Sequence, residues 1–142
     1  MKTLGWNCQG LLSHRAVRAL QVILRQLDPD VAFRSETHLN KVKAENLMRK
    51  LGFHSMIINE SNGRSGGLLM LVKRGVKILE RSVSNHHIDV TVDDGVLWRL
   101  TGVFGEPDWN HKDRTWTDLR NLFASDNSTP WLLLGDFNEI FV

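Results

Sequence analysis

Two short runs of unbroken apolar residues constrain this chain most: Leu68-Leu69-Met70-Leu71-Val72 and Trp131-Leu132-Leu133-Leu134. Each has the length of a strand and falls far below the roughly 18 residues that a membrane span needs. A strand that is apolar at every position, rather than at alternate ones, is of the kind buried on both faces. That demands a layered arrangement.

The periodicities around these runs supply the layers. Thr3 to Trp6 is a short strand candidate. Ser13 is a plausible N-cap for a helix whose Val17, Leu20, Leu24 and Leu27 recur at helical spacing, and Asp28-Pro29-Asp30 stops it. Val31-Ala32-Phe33 opens a second strand that ends at Ser35-Glu36-Thr37. Asn40 then caps a helix with Ala44, Leu47, Met48 and Leu51 inward and Gly52 just past its end. Strands are expected at Phe53 to Asn59, Leu68 to Lys73, Val76 to Val83 and Ile88 to Val92. Asp93-Asp94-Gly95 signals a hairpin into Val96 to Phe104. A third helix places Trp116, Leu119 and Phe123 on one face before Pro130 restarts the chain. Helices alternate with strands at both ends and a hairpin-like run fills the middle. The expected class is α/β, a mixed sheet with helices on at least one face. No repeat or linker divides residues 1–142, so one domain is expected.

Composition excludes several function classes. Of the 142 residues 42% are hydrophobic and 24% charged, which is globular rather than disordered. A net charge of +2 does not demand nucleic acid as a partner, and a pI near 8.9 permits it. Cys8 is alone, so no internal disulfide framework exists and a reducing compartment is the default. Neither a signal peptide nor a membrane span is apparent, and an intracellular protein is expected.

In open α/β sheets, ligands meet the chain where buried strands end. Polar groups stand at three such points: Asn7 after the first strand, Glu36 after the second, and Asp136 with Asn138 after the last. Two carboxylates and two amides form an oxygen-rich set suited to a hard divalent ion such as Mg2+. His and Cys do not cluster at zinc-ligand spacing. Taken singly, each acidic residue reads equally as a helix cap or a turn residue, and Gly-Asp-Phe-Asn as a turn. Gly66-Gly67 is a weak phosphate-loop signal, since no Lys-Ser/Thr follows it.

The full strings carry more. Leu4-Gly5-Trp6-Asn7-Cys8-Gln9-Gly10, Pro29-Asp30-Val31 through Glu36-Thr37-His38-Leu39, Arg64-Ser65-Gly66-Gly67-Leu68, Thr101-Gly102-Val103-Phe104-Gly105-Glu106-Pro107, Arg114-Thr115-Trp116 with Leu119, and Trp131 to Asn138 follow one another in order. Together they resemble the endonuclease/exonuclease/phosphatase superfamily, and within it the plant LINE-like (non-LTR) retrotransposon endonucleases. The resemblance implies the N-terminal half of a four-layer α/β sandwich and Mg2+- or Mn2+-assisted phosphodiester hydrolysis, with DNA as substrate and the nucleus as a location. Carried over residue by residue, it implies that Glu36 ligates the metal with Asn7 in support. Asp136 would orient the attacking water, and Asn138 would hold a phosphate oxygen.

Departures from the family pattern bear on activity. Phe104 stands where the family usually has a tyrosine whose hydroxyl can donate to the substrate phosphate. Arg34 replaces an apolar residue; strand alternation puts it on the side of Glu36, and snorkelling to solvent is the expected outcome. The family's late Ser-Asp-His segment has no counterpart, and His14, His38, His54, His86, His87 and His111 are expected on the surface or in loops. With the second half of the fold outside these residues, an apolar sheet face is expected to lie uncovered and to promote self-association. Three functions stay open: a DNA endonuclease, an inactive retroelement remnant or binding fragment, and a phosphatase of small phosphoesters.

Overall fold

The computed structural model describes residues 1–6, 13–60 and 66–138. Chain order is β1 (Thr3–Trp6), α1 (His14–Leu27), β2 (Val31–Ser35), α2 (Lys41–Leu51), β3 (Ser55–Asn59), β4 (Leu68–Val72), β5 (Lys77–Val83), β6 (His87–Asp93), β7 (Leu97–Phe104), α3 (Asp113–Ser125) and β8 (Trp131–Asp136). The strands form two four-stranded mixed sheets, ordered β1-β2-β4-β3 and β5-β6-β7-β8. Each sheet has one parallel pair, β1 with β2 and β7 with β8, and its other pairs are antiparallel.

Helix ends follow from capping chemistry. Ser13 Oγ accepts the Ala16 amide at 3.1 Å, and Asn40 Oδ1 accepts the Lys43 amide at 2.9 Å. Gly52 closes α2 in the left-handed region at φ 81°. Leu20 and Leu24 of α1 and Ala44 and Leu47 of α2 pack on Ala32, Leu69 and Leu71, the outer face of the first sheet. Leu27, expected inward, is 45% exposed, because the chain leaves α1 through left-handed Asp28 at that point.

The alternate residues of the same strands, Val31, Phe33, Leu68, Met70 and Val72, meet Ile88, Val90, Val92, Leu100 and Phe104 from the second sheet. This dry layer explains why β4 is apolar throughout: helices cover one face and a sheet covers the other. The sheets come so close at Gly102 that a Cβ there would enter the Phe33 ring. On the outer face of the second sheet, Val103 packs with Leu119 and Leu122 of α3. The layers therefore run α1/α2, sheet, sheet, α3. The expected uncovered face is corrected: the second sheet lies on it.

Two other expectations change. β8 is not buried on both faces. Among the described residues it forms the edge of its sheet, and Leu132 is 43% exposed. The buried side of α3 carries Thr115, Leu119 and Leu122, whereas Trp116 and Phe123 are exposed. A polar network beneath the helix sets that rotation. Arg99, fully buried on β7, holds Asp89 through Nε (2.9 Å to Oδ1) and Nη2 (2.8 Å to Oδ2) and donates through Nη1 to the Leu122 carbonyl at 2.7 Å. Thr101 donates to the same Asp89 carboxylate at 2.7 Å. A buried pair of this kind must have its remaining donors met, and α3 is turned so that its carbonyls meet them.

Candidate active site

Strand directions bring the polar loops to one end of the sandwich. β1 and β2 are parallel and β4 runs against them; β7 and β8 are parallel and β6 runs against them. Glu36, after β2, shares a cleft of about 320 Å³ with Phe104 and Glu106, at and beyond the end of β7. The ends of β2, β7 and β8 and the starts of β4 and β6 thus point the same way. Glu36, Phe104, Asp136 and Asn138 stand at this end. Asn7 lies outside the described residues, as do Arg64 and Ser65.

The backbone at this end is unusual. Among the described residues four non-glycine residues have positive φ, and three of them are Glu36 (52°), His38 (54°) and Asn138 (52°). Such conformations persist only where the surroundings impose them, and they concentrate at sites of function. For Glu36 the constraint is visible: the Gly67 carbonyl accepts the Thr37 amide at 3.3 Å and the Gly66 carbonyl accepts the His38 amide at 3.2 Å. In this structure the Gly66-Gly67 pair braces the loop that carries Glu36. The left-handed turn also breaks the pleat, so alternation along β2 does not extend to Glu36.

Around β8, Asp136 is in register with Phe104. Its carbonyl accepts the Gly105 amide at 2.6 Å, and its Oδ1 accepts the Asn138 amide at 2.9 Å. Asn138 Nδ2 donates to the Gly105 carbonyl at 2.7 Å, and Lys112 Nζ donates to the Asn138 carbonyl. Gly105 leaves no room for a side chain, since a Cβ would collide with the Phe137 backbone. The turn is thus clamped to the end of β7, and the Asp136 and Asn138 positions are fixed relative to Phe104.

Several side chains stand apart from their expectations. Arg34 is fully buried rather than snorkelling, with its guanidinium 5.8 Å from the Trp6 ring on the helix-facing side of the sheet. His87 is buried as well, its Nδ1 donating to Asp118 Oδ2 at 2.8 Å beneath α3. Its neighbour His86 lies just before β6 and takes different partners. The His86 ring stacks on Phe104, with 6.2 Å between centroids and 8° between planes. Nδ1 lies 2.9 Å from the Phe104 carbonyl, and Nε2 lies 3.7 Å from Glu106 Oε2. Glu106 is itself anchored, its amide donating to Thr115 Oγ1 at 2.8 Å. His86 and Glu106 line the same cleft, and neither is among the residues that the strand-end motifs single out.

Carboxylates from Glu36, Glu60 and Glu106 surround the cleft. Oxygen donors of this charge suit a hard divalent cation in kind. Among the described residues no three His, Cys, Asp or Glu side chains stand close enough to form a metal cluster on their own.

Four layers, with a polar cleft where both sheets end, define an α/β sandwich that presents carboxylates and amides to a ligand. The chain belongs to the Endonuclease/Exonuclease/phosphatase family, whose model matches residues 4–140. Solved structures share the fold. The endonuclease domain of TRAS1, a telomere-specific non-LTR retrotransposon, superposes with a TM-score of 0.70 at 14% identity, over 98% of this chain and 61% of that one. The 3′ phosphatase NExo from Neisseria, bound to a product DNA hairpin, gives 0.69 at 20% identity, over 97% and 58%. A humanized TDP2 of D. rerio gives 0.69 at 21% identity, over 96% and 66%. The chain spans 58% to 66% of the length of these three structures. No curated protein matches it. Among the described residues no helix is long and apolar enough to cross a membrane.

Proposed function

We propose that this chain forms one domain and carries part of the active site of a Mg2+-dependent DNA endonuclease of the LINE-like retrotransposon type. One observation carries the reading most: Glu36 and Asn138, singled out by motif, are both held in left-handed backbone at the same end of the sandwich. The motif strings and the likeness to the TRAS1 domain support the retroelement branch, and the DNA-bound relative supports DNA as substrate.

Glu36 would hold Mg2+ or Mn2+ with Asn7, and the cation would offset charge on the phosphoryl oxygens. The chain's own groups do the rest. Asp136, fixed by the Asn138 amide, accepts a proton of the attacking water and aligns it with phosphorus. Asn138 spends one amide hydrogen on the Gly105 carbonyl, which orients its second toward a non-bridging oxygen. Phe104 offers that oxygen a ring face and no hydroxyl.

Phe104 favours a second reading within the same site, a domain that binds phosphodiesters without cleaving them. Nicking of supercoiled DNA separates the two. The endonuclease reading expects relaxation that needs Mg2+, stops with chelator and is abolished in Glu36→Ala. Mg2+-dependent DNA binding without nicking selects the second reading, and nicking that survives Glu36→Ala overturns the assignment of the site.

A further inference from the structure

The cleft beside Glu36 poses an electrostatic problem. Three carboxylates line it, and a phosphodiester brought there meets like charge. Of the described side chains lining it, only that of His86 can carry a positive charge. The ring is neither loose nor incidental. It lies parallel to Phe104, is bonded through Nδ1 to the Phe104 carbonyl, and keeps 41% of its side chain exposed. A carbonyl oxygen can only accept, so Nδ1 is the donor in that bond. With Nδ1 so engaged, Nε2 is the ring nitrogen left for a ligand, on the edge that also faces Glu106.

The position matters because of what Phe104 lacks. Its ring lines the cleft without a donor, and His86 sits in a parallel plane against it, tied to its own backbone. Building on the phosphodiester reading above, we propose that His86 is a phosphate-binding residue of this site, its Nε2–H donating to a non-bridging oxygen in place of the hydroxyl absent at Phe104. Glu106 aims the imidazole from the side, and Thr115 fixes Glu106 in turn. Pro107 and the Asp108 amide, which donates to Glu106 Oε1 at 3.2 Å, hold the same loop. The arrangement gives an acidic, metal-suited cleft a ring nitrogen donor for the ester.

Binding tests this without depending on turnover. The probe is a fluorescent duplex DNA oligonucleotide with Ca2+ replacing Mg2+, titrated against the 142-residue chain. His86→Ala is expected to weaken binding about tenfold, the scale of one hydrogen bond to a charged group. It should also make the salt dependence shallower by about one phosphate contact. Phe104→Tyr placed in the His86→Ala chain should recover most of the affinity, which a merely structural histidine would not allow. In the wild type, the ring nitrogen resonances of His86 should shift when DNA is added. Unchanged affinity and salt slope in His86→Ala, with binding lost in Glu36→Gln, overturn this proposal and leave the functional reading standing. Weaker binding with an unchanged salt slope and no recovery by tyrosine overturns it too, reducing His86 to a brace for β7. Binding indifferent to both Glu36→Gln and His86→Ala, or absent from the wild type, overturns the functional reading and this proposal together.

Discussion

Glu36 occupies a backbone conformation that costs a non-glycine residue of order 1 kcal/mol or more, and the loop braces it there with two hydrogen bonds from its neighbours to Gly66 and Gly67. Nothing in packing calls for glutamate at this spot, since its side chain borders a cleft rather than a core. Replacing it with glycine removes the conformational cost and adds chain entropy to the unfolded state. Glu36→Gly is therefore expected to melt within about 1 kcal/mol of the wild type, or above it, while losing divalent-dependent DNA cleavage. Thermal denaturation beside a nicking assay checks both halves. A variant that unfolds outright would show Glu36 to be structural. At this scale the sequence was readable where residue identity is the message: Glu36, Asp136, Asn138 and Phe104 all stand at the end of the sandwich where their strings put them. The place of His86 was not readable, because it is set by a bond to a backbone carbonyl 18 residues away.

At the scale of elements, capping residues and strand lengths were legible, and the faces of edge elements were not. Ser13, Asn40 and Gly52 close helices as their local chemistry dictates. The rotation of α3 depends instead on Arg99 and Asp89, which belong to strands that reach the helix only in the folded chain. Trp131 adds to this layer, its Nε1 donating to Thr101 at 2.7 Å and its ring lying 4.6 Å from the Arg99 guanidinium. Beyond the helix, the Thr129 hydroxyl and the Ser128 and Thr129 amides hold the Asp126 carboxyl well below the usual carboxylate range, fixing the turn into β8. Removing one partner of a buried pair leaves the other charged and unmet, at roughly 3–5 kcal/mol. Asp89→Ala is expected to destabilise the fold by about that amount. Urea titration measures it, and a loss under about 1 kcal/mol would mean that Arg99 finds compensation among the α3 carbonyls.

Of the four strands at sheet edges among the described residues, β1, β3, β5 and β8, the first and the last lie together. β1 ends one sheet and β8 ends the other, so among the described residues each pairs on one side only, and the two strands touch across the sandwich. An uncovered face was expected, yet the openness lies at the edges, a distinction that apolar pattern cannot draw. Both situations leave apolar residues unspent; only topology says which side lacks a neighbour. The exposure of Leu132, one register position from buried Thr101 and opposite buried Leu100, shows where the second sheet stops being covered. Open strand edges template pairing with another chain, and natural edges are blunted by inward-pointing charge, lysine above all. The isolated 142-residue chain is accordingly expected to associate as its concentration rises, and Leu132→Lys to abolish that association while α3 and the inter-sheet core keep the melt cooperative. Sedimentation velocity across a concentration series reads the effect directly. A wild-type chain that stays monomeric at the top of the series would overturn the association expected of β8.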